Sequence, residues 1–337
     1  MVVTVNVTIK SNFSSFESDV NITISKDSAF NENADKVIRW ASVVILFITM
    51  VSLGCRMEIS KIKNYLIKPK GVAIAVGAQY VIMPLTAFCF AKLFQLSPME
   101  SLSALICGCC PGGNLSNIFA LALEGDMNLS IVMTACSTAL GLGMMPLLLY
   151  LYSQGISNLA EYVPFTSITI AMIMNLVPCG IGILINYRVP QYSKIITQVG
   201  LVLLLISCVV IGVLAGLSDE GKIFKVLSHQ IIVTAALMPL TGFICGYILS
   251  TLFHKYHVHI FPLFLSCRRT VSMEVGCQNI QLCTTILKVA FPAELIGQLY
   301  FFPVIYIVFQ IVEALILIVL FRCHQRLRPS LKGKSTL

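Results

Sequence analysis

Long apolar stretches separated by short polar loops fill most of the chain from residue 38 onward. Nine of them approach or exceed the roughly 20 residues that a helix needs to cross the hydrocarbon core of a bilayer. They are residues 38–56, 71–95, 101–123, 127–152, 163–187, 195–217, 230–253, 270–292 and 297–321. The pattern therefore predicts an all-α integral membrane protein with about nine transmembrane helices and with its two termini on opposite sides of the membrane.

Composition favours the same class of protein. The chain is 57% hydrophobic and 11% charged, whereas about 25% of the residues of soluble proteins are charged. The net charge of +8 does not indicate a nucleic-acid partner, because no stripe of basic and aromatic residues accompanies it. An enzyme is not expected either, since no nucleophile–base pair, zinc-ligand spacing or phosphate-binding loop is present. The expected surroundings are membrane lipid.

The charges of the loops orient the predicted helices. If the N-terminus is outside, 15 of the 23 Lys and Arg residues fall in the loops and tail on the inner side, as the positive-inside rule requires. Asn6, Asn12 and Asn21 each begin a glycosylation sequon. We therefore expect a plasma-membrane glycoprotein with an extracellular segment, residues 1–37, and a basic cytoplasmic tail, residues 323–337.

A short motif occurs twice. Residues 82–88 read IMPLTAF and residues 237–243 read LMPLTGF, with five of the seven positions identical. Pro146 and Pro303 then lie at similar distances further along the chain, in the fourth and ninth spans. Because matching spans are five crossings apart, the second copy must be inverted in the membrane. Inverted repeats of this kind are typical of secondary transporters.

Polar and small residues interrupt one span in each copy. The third span contains Pro111, Gly112 and Gly113, followed by Asn-Leu-Ser-Asn, and the eighth contains a polar run from Glu274 to Gln281. An interrupted helix leaves carbonyls and amides that lipid cannot satisfy, so such backbone must be buried or line a cavity. The freed carbonyls suit a cation that prefers oxygen ligands.

Glu274 is the one acidic residue of the eighth span, and no Lys or Arg lies within a helical turn of it. A carboxylate at the bilayer centre costs at least about 2.5 kcal/mol, so it needs a partner. A bound cation would supply one, and a protonated structural Glu is the alternative. Hydroxyls on one face of the fourth span permit either ion binding or contacts between helices; they belong to Ser130, Thr134, Ser137 and Thr138.

Four long motifs resemble the bile acid/sodium symporter family. They are CGCCPGGNLSN at 107–117, GDMNLSIVMT at 125–134, GMMPLL at 143–148 and RRTVSMEVGCQNIQLC at 268–283. The resemblance covers roughly residues 38–325 and implies a transporter domain, residues 38–322, with two crossed discontinuous helices. Its core would comprise residues 71–152 and 230–321, and its panel residues 38–56, 163–187 and 195–217.

The resemblance also implies a function. The protein would couple inward sodium flux, with two ions per cycle, to the uptake of bile acids or related organic anions such as steroid sulfates. Sodium would be the coupling ion, without any other cofactor. The first sodium site would consist of Ser116, Asn117, Ser130, Thr134 and Glu274. The second would consist of Gln79, Glu274, Gln278 and backbone carbonyls near Val275 and Cys277.

The substrate would bind beside Asn279 and Asn114. Two positions depart from the family pattern, because relatives often have Thr where this chain has Val275 and Ala135. The backbone carbonyl at Val275 can still bind an ion, whereas the missing hydroxyl at Ala135 leaves a change in sodium affinity open. A proton-coupled transporter would need a buried acidic pair, which Glu274 lacks in the sequence. A non-transporting receptor would not need polar groups at two matched breaks.

Overall fold

The computed structural model describes residues 3–7, 20–24, 40, 43–45, 47–57, 70–156, 159, 163–217, 228–255, 261–291 and 293–332. The chain forms two compact units, Met1–Val44 and Ile45–Leu337.

The first unit contains an antiparallel ribbon that departs from the all-α prediction. Strand β1 (Val3–Val7) pairs with strand β2 (Val20–Ile24), and Asn6 lies opposite Asn21. Both strands are rich in Val, Ile and Thr, whose branched side chains favour extended backbone. Asn12 lies outside the described residues, and glycosylation of all three asparagines stays a prediction.

Helices make up nearly all of the second unit's described residues. The helices of the chain, of which the first begins two residues before this unit, are in order α1 (Val43–Cys55), α2 (Lys70–Leu93), α3 (Pro98–Cys109), α4 (Leu115–Ala122), α5 (Met127–Gln154), α6 (Phe165–Arg188), α7 (Pro190–Leu217), α8 (His229–Lys255), α9 (Phe261–Gly276), α10 (Ile280–Ala290) and α11 (Ala293–Lys332).

Five of these helices, α2, α5, α6, α8 and α11, are long and apolar enough to cross a membrane. The prediction of a multi-pass helical membrane protein is therefore confirmed in this coarse form. The count of nine crossings, the inverted repeat and the division into core and panel stay predictions.

Two predicted spans are each divided into a pair of short helices. Helix α3 ends at Cys109 and α4 begins at Leu115, because the intervening proline lacks an amide hydrogen and disfavours helical backbone before it. Helix α9 ends at Gly276, and α10 begins after Asn279, whose Oδ1 accepts a hydrogen bond from Leu282 N at 3.0 Å. This side-chain cap is a usual start for a helix.

The two breaks lie against each other. Gly113 N donates to Cys277 O at 2.8 Å, and Asn279 N donates to Pro111 O at 3.0 Å. The breaks therefore pair as two short antiparallel strands would. Gly113 permits this approach, because a Cβ there would lie 2.6 Å from Gln278 O. The pairing satisfies backbone groups that lipid could not.

The two copies of the repeated motif lie beside the breaks. Helices α2 and α8, which carry them, pack against each other and against α9. Met83 and Met238, the equivalent methionines, are both fully buried. A Cβ on Gly242 of the second copy would lie 2.9 Å from Met83 Sδ and 2.7 Å from Gly276 Cα. The two copies of the motif are thus packed in the interior, next to Gly276 at the break between α9 and α10.

Helices α1 and α6 cross closely at two glycines. A Cβ on Gly54 would lie 2.1 Å from Cys179 O, and a Cβ on Gly182 would lie 2.1 Å from Val51 O. Small residues at helix interfaces allow such close backbone contact, which drives association where lipid removes the hydrophobic effect.

Replacing Gly182 by Ala should force α1 and α6 apart and lower the free energy of unfolding by about 1–3 kcal/mol, the usual cost of overpacking. Thermal unfolding of purified protein in detergent measures this loss. Gly180→Ala is the matched control, because a Cβ at that position of the same helix would have no atom of another described helix within 4 Å. Equal stability of both variants would show that the crossing is not tightly packed.

Candidate functional site

Glu274 lies in the last turn of α9 with 1% of its surface exposed. Its Oε2 accepts hydrogen bonds from Ser116 Oγ at 2.6 Å and from Ser130 Oγ at 3.4 Å. Its Oε1 accepts from Thr134 Oγ1 at 2.8 Å. The hydroxyls belong to α4 and α5, so the carboxylate faces protein rather than lipid. Four of the five residues predicted for the first sodium site are in direct contact.

Asn117 is the fifth of these residues, and it lies next to Ser116 on α4. Its side chain is fully buried, and neither Oδ1 nor Nδ2 has a hydrogen-bond partner among the described residues. A buried amide without a partner costs about 1–3 kcal/mol. The oxygen of Asn117 is therefore available to a ligand that binds at this point.

The hydroxyl groups around Glu274 supply fewer hydrogen-bond donors than there are oxygen acceptors within reach. Ser116 Oγ lies 2.8 Å from Gly113 O in addition to its contact with Glu274. Thr134 Oγ1 likewise lies 3.0 Å from Ser130 O. Each hydroxyl has a single proton and can donate fully to only one of its two acceptors. The remaining lone pairs favour a cation that prefers oxygen ligands.

A second polar group joins α2 to the break between α9 and α10. Gln79 is fully buried, and its Nε2 donates to Gln278 Oε1 at 2.7 Å and to Cys110 O at 2.9 Å. Gln278 Nε2 donates to Val275 O at 3.1 Å. The structure thus brings together three members of the predicted second site, whereas the Cys277 carbonyl accepts the backbone bond that pairs the breaks.

Two oxygens of this second group, Gln278 Oε1 and Cys110 O, both face the side-chain nitrogen of Gln79. Gln79 Oε1 is buried and has no partner among the described residues, whereas its Nε2 faces two oxygens. Rotating this amide by 180° would exchange the donor for an acceptor. Three oxygens would then face one another, an arrangement that only a cation or an added proton could stabilise. Glu274 was also predicted to belong to this second site, but the hydrogen bonds described for its side chain are those to Ser116, Ser130 and Thr134.

Sequence reasoning missed two amides that contact the second break. Gln310 on α11 is fully buried, and its Oε1 accepts a hydrogen bond from Gln278 N at 2.9 Å. Gln281 Oε1 accepts from Thr49 Oγ1 of α1 at 3.3 Å. An amide in the middle of the apolar ninth span was the available signal for Gln310. Gln281 was part of the polar run but carried no assigned role.

A small cavity lies beside the paired breaks, with Asn114, Asn279, Gln281 and Ile307 in its wall. The two residues predicted to contact substrate therefore share one cavity. Asn114 Oδ1 is buried without a partner among the described residues, whereas the oxygen of Asn279 caps α10. The cavity holds about 10 Å³, whereas ligand pockets hold roughly 300–1,000 Å³. A steroid-sized ligand would require it to open.

Packing explains one departure from the family pattern. Ala135 is 8% exposed and belongs to an apolar cluster with Met50 and Leu53 of α1. A methyl side chain suits that environment, because the cluster offers no polar side chain to a hydroxyl. At the other departure, Val275 is fully buried and contributes its carbonyl to Gln278, as expected for a role that depends on the backbone alone.

Comparison with known proteins shows which family this chain belongs to. Residues 43–225 match the model of the Sodium Bile acid symporter family. The Hepatic sodium/bile acid cotransporter of Homo sapiens is 52% identical over 288 residues, which are 85% of this chain and 80% of the relative. The Sodium-dependent organic anion transporter of Homo sapiens is 36% identical over 309 residues, 90% of this chain and 78% of the relative.

A third relative is also named a sodium/bile acid cotransporter. The Ileal sodium/bile acid cotransporter of Oryctolagus cuniculus is 35% identical over 306 residues, 89% of this chain and 85% of the relative. The similarity thus extends over most of this chain and over most of each of the three relatives.

Replacing Asn117 by Leu should raise the free energy of unfolding by about 1–2 kcal/mol, because an unpaired buried amide becomes an apolar group of similar size. Ser116→Ala should lower it by about 1–3 kcal/mol, because a buried carboxylate loses a donor. Thermal unfolding in detergent with choline as the only small cation compares the two variants. Destabilisation of both would mean that Asn117 is already satisfied in the protein.

Proposed function

Because this chain belongs to the sodium bile acid symporter family, we propose that it couples inward sodium flux to the uptake of bile acids or related amphipathic organic anions, such as steroid sulfates. The observation that carries this proposal is the buried carboxylate of Glu274, enclosed by hydroxyls of two other helices in an oxygen-rich, proton-poor group. Sodium is the coupling ion, and no other cofactor is required. The matched relatives are transporters, not enzymes.

The first sodium ion binds among the side chains around Glu274. Rotation of the Ser116 and Thr134 hydroxyls toward Gly113 O and Ser130 O, which are already within hydrogen-bond distance, turns their lone pairs toward the ion. Asn117 Oδ1, buried and unpaired in the described part of the chain, gains a partner. The ligands are those of the predicted first site: Ser116, Asn117, Ser130, Thr134 and Glu274.

The second ion binds beside Gln79 and Gln278. Reorientation of the Gln79 amide presents its oxygen next to Gln278 Oε1, and the carbonyls of Val275 and Cys277 lie on the same break. Glu274 stands one residue before Val275, so its charge attracts ions at both sites. Shared use of one carboxylate would make the binding of the two ions interdependent.

Charge balance supports coupling between ions and substrate. Two sodium ions and the Glu274 carboxylate leave a net charge of +1, which a monovalent organic anion neutralises. The fully loaded protein therefore enters the transport transition at the lowest electrostatic cost, which is how ligands select one conformation over another. One net positive charge enters per cycle, and the membrane potential contributes about 2.3 kcal/mol per 100 mV.

The organic anion binds where Asn114 and Asn279 face the cavity at the crossing. Their amides supply a few polar anchors in a largely apolar wall, as is usual for amphipathic ligands. Opening of the cavity would separate α1 from α10 and break the contact between Thr49 and Gln281. This motion corresponds to sliding of the core, residues 71–152 and 230–321, against a panel that includes α1.

The same proposal includes the arrangement in the membrane. Antiparallel pairing of the two breaks is what an inverted repeat with crossed discontinuous helices predicts. The protein is a plasma-membrane protein with nine crossings, an extracellular glycosylated N-terminal segment and a cytoplasmic basic tail. Loop charge and the three sequons support this orientation.

Glu274→Gln should abolish sodium-driven uptake of a labelled bile salt while normal amounts of protein reach the surface, because the carboxylate is the charged ligand of both ions. Wild type should show sigmoidal dependence on sodium and an inward current. Glu100→Gln is the control, since that half-buried acid accepts hydrogen bonds from Ser97 N and Ser228 Oγ at the start of α3 and has no role in the proposed sites. Uptake by Glu274→Gln that matches wild type in rate and sodium dependence would refute the assignment.

The same assay separates the competing functions. Uptake that persists in choline and follows the pH gradient would indicate proton coupling. Absence of flux in proteoliposomes of purified protein would indicate a receptor. Competition between labelled taurocholate and steroid sulfates, with and without sodium, identifies the preferred class of anion.

A further inference from the structure

The turn that joins α4 to α5, residues 123–126, is held by side chains of two other helices. Arg269 Nη2 on α9 donates to Glu124 O at 2.7 Å. Arg322 on α11 donates to the last carbonyl of α4 at 2.9 Å and forms a 2.8 Å ion pair with Glu124. Gln325, one turn further along α11, donates to Glu124 Oε2 at 2.7 Å. Both oxygens of one carboxylate are thus occupied.

Thr270 connects the same turn to the start of α5. Its Oγ1 accepts a hydrogen bond from Asp126 N at 2.8 Å. A Cβ on Gly125 would lie 2.6 Å from that oxygen, so the close approach needs glycine. Asp126 in turn caps α5 by accepting from Leu129 N at 3.1 Å. Helix α9 therefore contacts the end of α4 and the beginning of α5 through two adjacent residues.

Glu124 stands at a backbone position that usually belongs to glycine. Its φ is 55°, and its amide bonds to Leu121 O while Gly125 N bonds to Ala120 O. These two bonds form a Schellman cap, in which the left-handed residue is most often glycine. A residue with a Cβ is disfavoured in this conformation. The side chain of Glu124 supplies contacts that glycine would not.

The arginines of this network also share one aromatic ring. Arg269 Cζ lies 4.8 Å and Arg322 Cζ 6.0 Å from the centroid of Phe321. The ring attracts both cations, but two guanidinium groups at one ring repel each other. The carboxylate of Glu124 offsets that repulsion, so the three charged groups depend on one another.

The helices that meet here carry the ligands of the first sodium site. Ser116 and Asn117 lie on α4, about two turns before Glu124. Ser130 lies on α5, four residues after Asp126, and Glu274 lies on α9, five residues after Arg269. A shift of any one of these helices at the turn would move its ligands relative to the others.

We propose that this network, here called the turn clamp, positions the first sodium site by fixing α4, α5 and α9 relative to one another. The turn clamp consists of Glu124, Arg269, Thr270, Arg322 and Gln325. Its members are positioning residues that do not contact the ion. This inference rests on the proposed sodium-coupled function and adds the device that sets sodium affinity.

The exposure of the ion pair within the clamp separates this role from folding stability. The side chains of Arg322 and Glu124 are 48% and 49% exposed, and exposed ion pairs contribute little to global stability. Loss of the pair should therefore leave the folded protein intact while loosening the ligand geometry. The expected change is in the sodium concentration that gives half-maximal uptake, not in the amount of protein.

The test compares Glu124→Gln, Arg322→Gln and the double variant with wild type. Arg326→Gln is the matched control, because Arg326 is an exposed arginine one turn further along α11. Two readouts are needed, both at constant ionic strength with choline as the replacement cation: sodium dependence of bile-salt uptake, and the sodium-induced rise in melting temperature of purified protein. The second reports binding without transport.

Each single variant should raise the sodium concentration for half-maximal effect by roughly two- to fivefold, the range that exposed ion pairs support. Maximal uptake per surface protein should be retained. The double variant should be no worse than the more severe single variant, because the two groups act through each other. Arg326→Gln should match wild type in both readouts.

Glu124→Gly separates positioning from backbone strain. Glycine suits the left-handed conformation better than Glu, so the protein without sodium should be at least as stable as wild type. Its sodium half-saturation should nevertheless rise as in Glu124→Gln. A weaker affinity in a protein of undiminished stability is not expected of a residue with a purely structural role.

Three results would overturn the turn clamp. They are unchanged sodium half-saturation in both single variants, additive effects in the double variant, and a loss of maximal rate alone, which would make the turn a gate. In each of these cases wild-type protein would still depend on sodium, so the proposed function would stand. Absence of any sodium effect on wild-type uptake and melting temperature is a different result, which refutes the proposed function and the clamp together.

Discussion

The hydrogen bonds between the two helix breaks are the constraint on which the rest of this structure depends. Inside a membrane each unpaired backbone group costs several kcal/mol, so two interrupted helices must satisfy each other. Gly113 and Asn279 do this by donating to carbonyls of the opposite break. Their pairing places the end of α9, with Glu274, against the start of α4, with Ser116. The site is thus a consequence of satisfying the backbone.

Some polar groups of the site have hydrogen-bond partners, and others have none in the described part of the chain. Glu274 is surrounded by three hydroxyls, two of which also face backbone carbonyls, whereas Asn117, Gln79 and Asn114 keep buried polar atoms without partners among the described residues. Such atoms lower stability, and proteins retain them where binding requires them. These three amides lie at the breaks or against them, whereas other buried atoms without described partners, such as Arg56 Nε and Glu313 Oε2, lie elsewhere. The amides therefore mark where the proposed ions and substrate would bind.

Parts of the molecule differ in how firmly they are joined. The backbones of α1 and α6 are in contact at Gly54 and Gly182, which leaves no room for adjustment. By contrast, α1 contacts α10 at the crossing through a 3.3 Å hydrogen bond between the side chains of Thr49 and Gln281. Packed glycine interfaces move as units, whereas isolated polar contacts exchange at little cost. The proposed motion between core and panel follows the weaker contacts.

Local features of the sequence determined the apolar spans, the two breaks and Glu274 as the acid of the eighth span, because hydrophobic length, proline, glycine and charge act on their own segment. Tertiary structure alone decided which distant groups meet. Gln310 bonds to the second break, Ala135 faces an apolar cluster, and Arg322 reaches Glu124 across 198 residues of chain. Such contacts depend on how helices pack in three dimensions, and the periodicity of one helix carries no information about the partner it will face.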